Sequence, residues 1–79
     1  PSLTMDWKEY LTVDPHICHG RICIRGTRIM VSVLLDNLAA GVSPTEILHS
    51  YPSLTPTHLQ AALAYAAALT RDRIIPLSA

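Results

Sequence analysis

Hydrophobic and polar positions alternate along Arg21-Ile22-Cys23-Ile24-Arg25, pause at Gly26-Thr27, and alternate again along Arg28-Ile29-Met30-Val31. A period of two on both sides of a glycine is the pattern of a β-hairpin, with Gly26-Thr27 as a two-residue turn. Pairing the arms across that turn sets Arg25 opposite Arg28 and Cys23 opposite Met30, and gathers Ile22, Ile24, Ile29 and Val31 on the other face. One face is therefore read as core and the other as a surface bearing Arg21, Arg25 and Arg28. Upstream, Tyr10-Leu11-Thr12-Val13 is a short β-prone stretch that Asp14-Pro15 stops.

Beyond Val31 the spacing of apolar residues becomes that of a helix. Ser32 is read as the cap of a helix running through Ala40, with Val33, Leu34, Leu35 and Leu38 on or near one stripe and Gly41 at the left-handed terminating position. Ser43-Pro44-Thr45-Glu46 is a capping box with proline at the first helical position, so a second helix of about two turns runs to about Ser50, ahead of Pro52. Thr55-Pro56 opens the third and longest helix in the same way. In it Leu59, Ala62, Leu63, Ala66 and Leu69 recur at helical spacing up to about Thr70. Arg71-Asp72-Arg73-Ile74-Ile75-Pro76-Leu77 reads as a tail, because proline cannot continue the helix.

The expected fold is mainly α with a small β part: an N-terminal strand and β-hairpin followed by a three-helix core, with a helix-turn-helix shape in the last two helices. Residues 1–9 are read as an N-terminal extension, 10–70 as the domain and 71–79 as the tail. Pro1 to Thr4 precede Met5 and are read as upstream or vector-derived sequence without functional weight.

A single domain of 79 residues buries only about 60% of the surface its unfolded chain exposes, so its stability alone is expected to be marginal. Cys18 and Cys23 lie in one local turn and strand and supply no disulfide framework. Association with a copy or a partner is the expected support, and the composition agrees: 49% of residues are hydrophobic and 15% charged, an apolar surplus that implies an interface. Six basic and six acidic residues cancel, which argues against strong nonspecific binding to nucleic acid or membrane surfaces. No apolar run reaches the length of about 18 residues that a membrane span needs, and the N-terminus lacks the order of a secretory signal, so the expected location is cytoplasmic.

The run Asp14-Pro15-His16-Ile17-Cys18-His19-Gly20-Arg21, followed by Ile24-Arg25-Gly26-Thr27-Arg28-Ile29, resembles the signature of the bacterial family called domain of unknown function four hundred and thirty-three. Leu38-Ala39-Ala40-Gly41-Val42-Ser43, then Glu46-Ile47-Leu48, Tyr51-Pro52-Ser53-Leu54-Thr55 and Ala61-Ala62-Leu63-Ala64-Tyr65-Ala66, resemble its helical half in order and spacing. The resemblance covers about Tyr10 to Ala68. It implies a homeodomain-like trihelical fold, usually dimeric, regarded as an antitoxin of the VapB kind and often encoded beside a PIN-like ribonuclease toxin.

The candidate chemistry is sparse. His16, Cys18, His19 and Cys23 offer two nitrogens and two sulfurs, but paired zinc-knuckle spacing is absent and converging all four would strain the hairpin; the preferred reading is a turn that packs Cys18 inward. No nucleophile stands in a recognisable triad pattern, and Asp6, Glu9, Asp14, Asp36, Glu46 and Asp72 are scattered singly. No enzyme activity, metal or cofactor is expected. Arg21, Arg25 and Arg28 are half of all basic residues; a dimer would double them into a phosphate-contacting patch, the alternative being a solvated face. Facing DNA, the third helix offers Thr57, His58 and Gln60 near its start, and its Ala-rich remainder suits core or dimer packing, so DNA binding is expected to be weak or assisted. Arg71 and Arg73, with Ile74, Ile75 and Leu77, are read as a segment lying on the toxin, an arginine entering its acidic site, the alternative being a frayed terminus.

The expected function is therefore an antitoxin homodimer that binds and neutralises a PIN-like ribonuclease toxin and, in the complex, represses its own operator. A stand-alone dimeric transcriptional regulator and a purely structural dimer module are the alternatives.

Overall fold

The computed structural model describes residues 6–72. A 3₁₀ turn, Trp7–Glu9, leads into strand β1, Leu11–Thr12. A second tight turn, Cys18–Gly20, precedes strand β2, Cys23–Ile24, and three helices follow: α1, Val31–Ala39, α2, Pro44–Ser50, and α3, Pro56–Asp72. The fold is mainly helical with a small β part, as the sequence pattern predicts. No helix among the described residues is long and apolar enough to cross a membrane.

β1 and β2 pair antiparallel, Leu11 opposite Ile24 and Thr12 opposite Cys23. The second arm of the expected hairpin touches β2 through one bridge, Cys23 to Met30, in the register anticipated above. The turn between the arms differs from the two-residue form. The Ile24 N–H donates to Ile29 O and the Thr27 N–H to Ile24 O, so four residues, Arg25 to Arg28, form the loop and the arms part before the two arginines face each other. Thr27 closes that loop with its own side chain: its hydroxyl donates to Ile24 O at 2.8 Å and accepts from the Ile29 N–H at 3.0 Å. Gly26, at φ 82°, supplies the left-handed residue the turn requires.

α1 starts two residues earlier than expected, at Val31, and without Ser32 as its cap. Met30 is the N-cap residue and makes no side-chain capping bond. The hairpin does the capping instead: the Val31 N–H donates to Ile22 O at 3.1 Å, so one of the helix's unpaired amides is already satisfied when the helix begins. Its other end follows the sequence reading. The Gly41 N–H bonds to Leu38 O and the Val42 N–H to Asn37 O, with Gly41 at φ 87°, which is the Schellman arrangement. Ser43 caps α2, its hydroxyl accepting from the Glu46 N–H at 3.2 Å.

Both strands and all three helices contribute to one core: Leu11, Ile24, Val31, Leu34, Ile47, Leu54, Leu59, Ala61 and Ala62 are all buried and packed together. Two expectations about faces fail. Cys23, placed on the arginine side by alternation, is fully buried, its thiol turned in to the Thr27 carbonyl of the hairpin loop, while Cys18 is only half-buried. In α3 the core face is set by Leu59, Ala61 and Ala62; Leu63 and Leu69, which the spacing assigns to the same stripe, are 51% and 42% exposed. The first two turns of α3 lie on the core, and beyond them Tyr65 meets Trp7 edge-to-face with ring centroids 5.1 Å apart.

Replacing the fully buried Leu34 with alanine leaves a cavity at the centre of this core and lowers the unfolding free energy by about 2–5 kcal/mol. Leu63→Ala stays within about 0.5 kcal/mol of the parent. Urea denaturation followed by circular dichroism separates the two.

Candidate functional site

The three hairpin arginines are exposed, yet they are not equivalent. Arg25 turns back onto the N-terminal segment. Its Nε donates to Glu9 O at 3.1 Å, and its Nη2 donates to Lys8 O at 3.2 Å and Leu11 O at 2.9 Å. Its backbone N–H adds a bond to Tyr10 O at 2.8 Å. A planar guanidinium has donors spread around a rigid fork, so one side chain can gather several carbonyls that a lysine would reach one at a time. Arg25 is thus the clasp between the hairpin loop and residues 8–11. Arg21 follows the turn at 18–20, and Arg28 sits on the far side of the loop, its carbonyl accepting from the Cys18 thiol at 3.1 Å; these two leave their guanidinium groups toward solvent.

The start of α3 shows a similar division among Thr57, His58 and Gln60. His58 Nδ1 accepts from the Thr55 N–H at 2.9 Å and lies 3.2 Å from the Thr55 hydroxyl. This is the return arm of a capping box, made by a histidine where glutamate is usual. The His58 ring also meets Tyr10 edge-on, centroids 6.1 Å apart, so the cap ties the helix to the strand segment. Gln60 is exposed and Thr57 half-buried. The Thr-Pro-Thr-His spacing carried this signal, but recognising it requires allowing the imidazole nitrogen as an acceptor.

A third cluster surrounds the cysteines. Asp14 and Pro15 form a turn in which the Ile17 N–H returns to Asp14 O and Asp14 Oδ1 accepts from the His16 N–H at 2.8 Å. The chain then enters three successive left-handed residues: Cys18 at φ 53°, His19 at φ 55° and Gly20 at φ 78°. Two of them carry side chains, each at a cost of order 1–2 kcal/mol. The buried Cys23 thiol donates to Thr27 O at 3.6 Å. Burial, and then the neighbouring Cys18 side chain, push that thiol above its ordinary value. Among the described residues no group of three or more His, Cys, Asp or Glu is placed to hold a metal ion.

Of the residues read as toxin-binding, Arg71 is exposed in the last turn of α3. Arg73, Ile74, Ile75 and Leu77 lie outside the described residues.

The same elements are found in known proteins. The family described as "Protein of unknown function (DUF433)" matches residues 11–66, from β1 through the caps of all three helices to the middle of α3. The chain belongs to the DUF433 family. A crystal structure of a DUF433 member protein from Anabaena variabilis is similar to this one with a TM-score of 0.73 and 33% sequence identity, over 80% of this chain and 62% of that one. This chain thus spans less than two thirds of that relative's length. No curated protein matches it. The family match takes in Arg21, Arg25, Arg28, Cys18 and Cys23 and ends before Arg71, so the DUF433 region coincides with the hairpin and helical core and not with the end of α3.

Because Arg25 holds three carbonyls, Arg25→Ala lowers the unfolding free energy of this DUF433 protein by about 1 kcal/mol, and Arg25→Lys recovers only part of the loss. Arg28→Ala is within about 0.5 kcal/mol of the parent. Thermal melts of the three variants at equal concentration check this order.

Proposed function

We propose that this DUF433 protein is the antitoxin half of a toxin–antitoxin pair of the VapB kind. In this reading it is a cytoplasmic, non-catalytic homodimer that holds a PIN-like ribonuclease through α3 and the tail after it. Bound to that partner, it contacts operator DNA through Arg21 and Arg28.

The observation that carries the reading is the division of α3. Its fully covered residues end at Ala62, whereas Leu63 and Leu69 are exposed and Arg71 is exposed in its last turn. A helix that leaves the core as a partly apolar surface and ends in a guanidinium suits a protein partner that offers a hydrophobic seat and a cluster of carboxylates. The alanines between those leucines keep the helix surface low, which also favours close approach of a second copy.

DNA contact in this reading is electrostatic and assisted. His58 is committed to Thr55 and Arg25 to the carbonyls of residues 8–11, so base reading from the start of α3 rests on Thr57 and Gln60, a weak set for discrimination. A stand-alone regulator is correspondingly less well supported than a complex in which both partners supply contacts.

Co-expression with the product of the adjacent reading frame, followed by size-exclusion chromatography with light scattering, tests the reading. Co-elution at a defined stoichiometry is expected; elution of this protein alone as a dimer removes the toxin-binding role. In the complex, Arg71→Ala combined with Arg73→Ala is expected to weaken inhibition of the ribonuclease at least tenfold. For DNA, Arg21→Ala and Arg28→Ala each reduce the slope of log affinity against log salt concentration by about 1, the value for one phosphate no longer neutralised. Arg25→Ala leaves that slope unchanged.

A further inference from the structure

The three left-handed residues at 18–20 turn the chain so that the Cys18 thiol reaches the Arg28 carbonyl on the far side of the hairpin loop. The two thiols use consecutive carbonyls as acceptors, Cys18 that of Arg28 at 3.1 Å and Cys23 that of Thr27 at 3.6 Å. Cys18 is half-buried and Cys23 fully buried, so a reagent in solution meets Cys18 first. Cys18 takes no part in the core, and neither sulfur is used by the DNA- or partner-binding surfaces.

The geometry points to a thiol-modification site in which Cys18 exchanges with a low-molecular-weight disulfide and Cys23 resolves the product into an internal Cys18–Cys23 disulfide. In the first step the Cys18 sulfur, having lost its proton, attacks one sulfur of the small disulfide. The bond between that reagent's sulfurs breaks, a mixed disulfide forms on Cys18, and one small thiolate leaves and takes up a proton. In the second step the Cys23 sulfur gives its proton to the departing group and attacks the Cys18 sulfur, expelling the second small thiol. The protein loses two electrons and two protons, and the reagent is reduced to two thiols.

The pair is arranged for this order. A half-buried attacking thiol and a covered resolving thiol suit the two steps, and the bonds to the Arg28 and Thr27 carbonyls hold the two sulfurs on neighbouring residues before any reagent arrives. Burial, and then the neighbouring Cys18 side chain, push the Cys23 thiol above its ordinary value, so it stays protonated until the mixed disulfide on Cys18 presents it with a leaving group. Closing the disulfide also removes the thiol proton that Cys18 donates to Arg28 O, so oxidation acts on the loop that carries Arg28. None of these steps depends on the antitoxin role.

The test is to incubate the full chain with oxidised glutathione, alkylate the remaining thiols under denaturing conditions and weigh the intact protein. The expected product is a monomer lighter by two hydrogens with no thiol left to alkylate. Cys23→Ser is expected to accumulate one glutathione on Cys18, and Cys18→Ser to remain unmodified. A stable single adduct on the parent protein, two alkylated thiols, or a disulfide-linked dimer would each overturn the proposal. The mass of the parent protein decides the question by itself even if a variant fails to fold.

Discussion

The two residues of β2 hold this fold together. Cys23 and Ile24 are fully buried, and their backbone is claimed from both sides: by Leu11 and Thr12 of β1 and by Ile29 and Met30 of the following arm. A strand this short cannot stand alone, because two or three ladder bonds do not repay the entropy of ordering the chain. It persists because Ile24 packs into the centre of the helical core and because the Arg25 clasp and the Thr27 hydroxyl tie down the loop at its end. The helices depend on it in turn. The Ile22 carbonyl receives the first amide of α1, so the direction in which α1 leaves the hairpin, and hence where Leu34 meets Ile47 and Leu59, is set at the strand.

The local punctuation of the chain is legible in the sequence. Gly41, Ser43-Pro44 and Thr55-Pro56 mark helix ends through short-range chemistry that works the same way in any context, and alternation between Ile22 and Val31 indicates the pairing register correctly. What cannot be read are matters of which element covers which. Alternation places Cys23 on the outer face; it says nothing of the loop fold that buries the residue, with its thiol on the Thr27 carbonyl. Arg25 has the same charge and nearly the same spacing as Arg21 and Arg28. Its distinct role depends on carbonyls of residues 8–11, which sequence separation hides. Helical spacing groups Leu63 and Leu69 with Leu59, but the core is too small to cover a helix of 17 residues, so the stripe runs out of partner before it runs out of leucines.

For the candidate site, the same contrast applies. The sequence identifies a basic hairpin and a polar start to α3, and the structure divides each into residues bound within the fold and residues turned to solvent. Arg25 and His58 are bound; Arg21, Arg28 and Gln60 face outward. A charge count treats the three arginines as one patch, whereas their hydrogen bonds assign one of them to stability. The cysteines reverse the expectation differently, since neither composition nor spacing distinguishes a thiol packed inward from one held at the mouth of a turn.

The length of α3 bears on the proposed role through an energetic asymmetry. A helix half that packs on a core only through a residue such as Tyr65 retains little intrinsic stability in water, yet this one continues ten residues past Ala62 to Asp72. Part of the support is internal: alanine-rich sequence lowers the entropic cost of helix formation, and Trp7 covers Tyr65. Neither accounts for leucine at 63 and 69, where a polar residue would serve the helix equally well and solubility better. In the proposed reading these leucines are covered by the partner, and a marginal domain of this size has most to gain from that, because binding that covers them stabilises the folded chain by mass action. A module built this way would be most stable when occupied, which is the behaviour required of a protein whose proposed role is to remain on its partner.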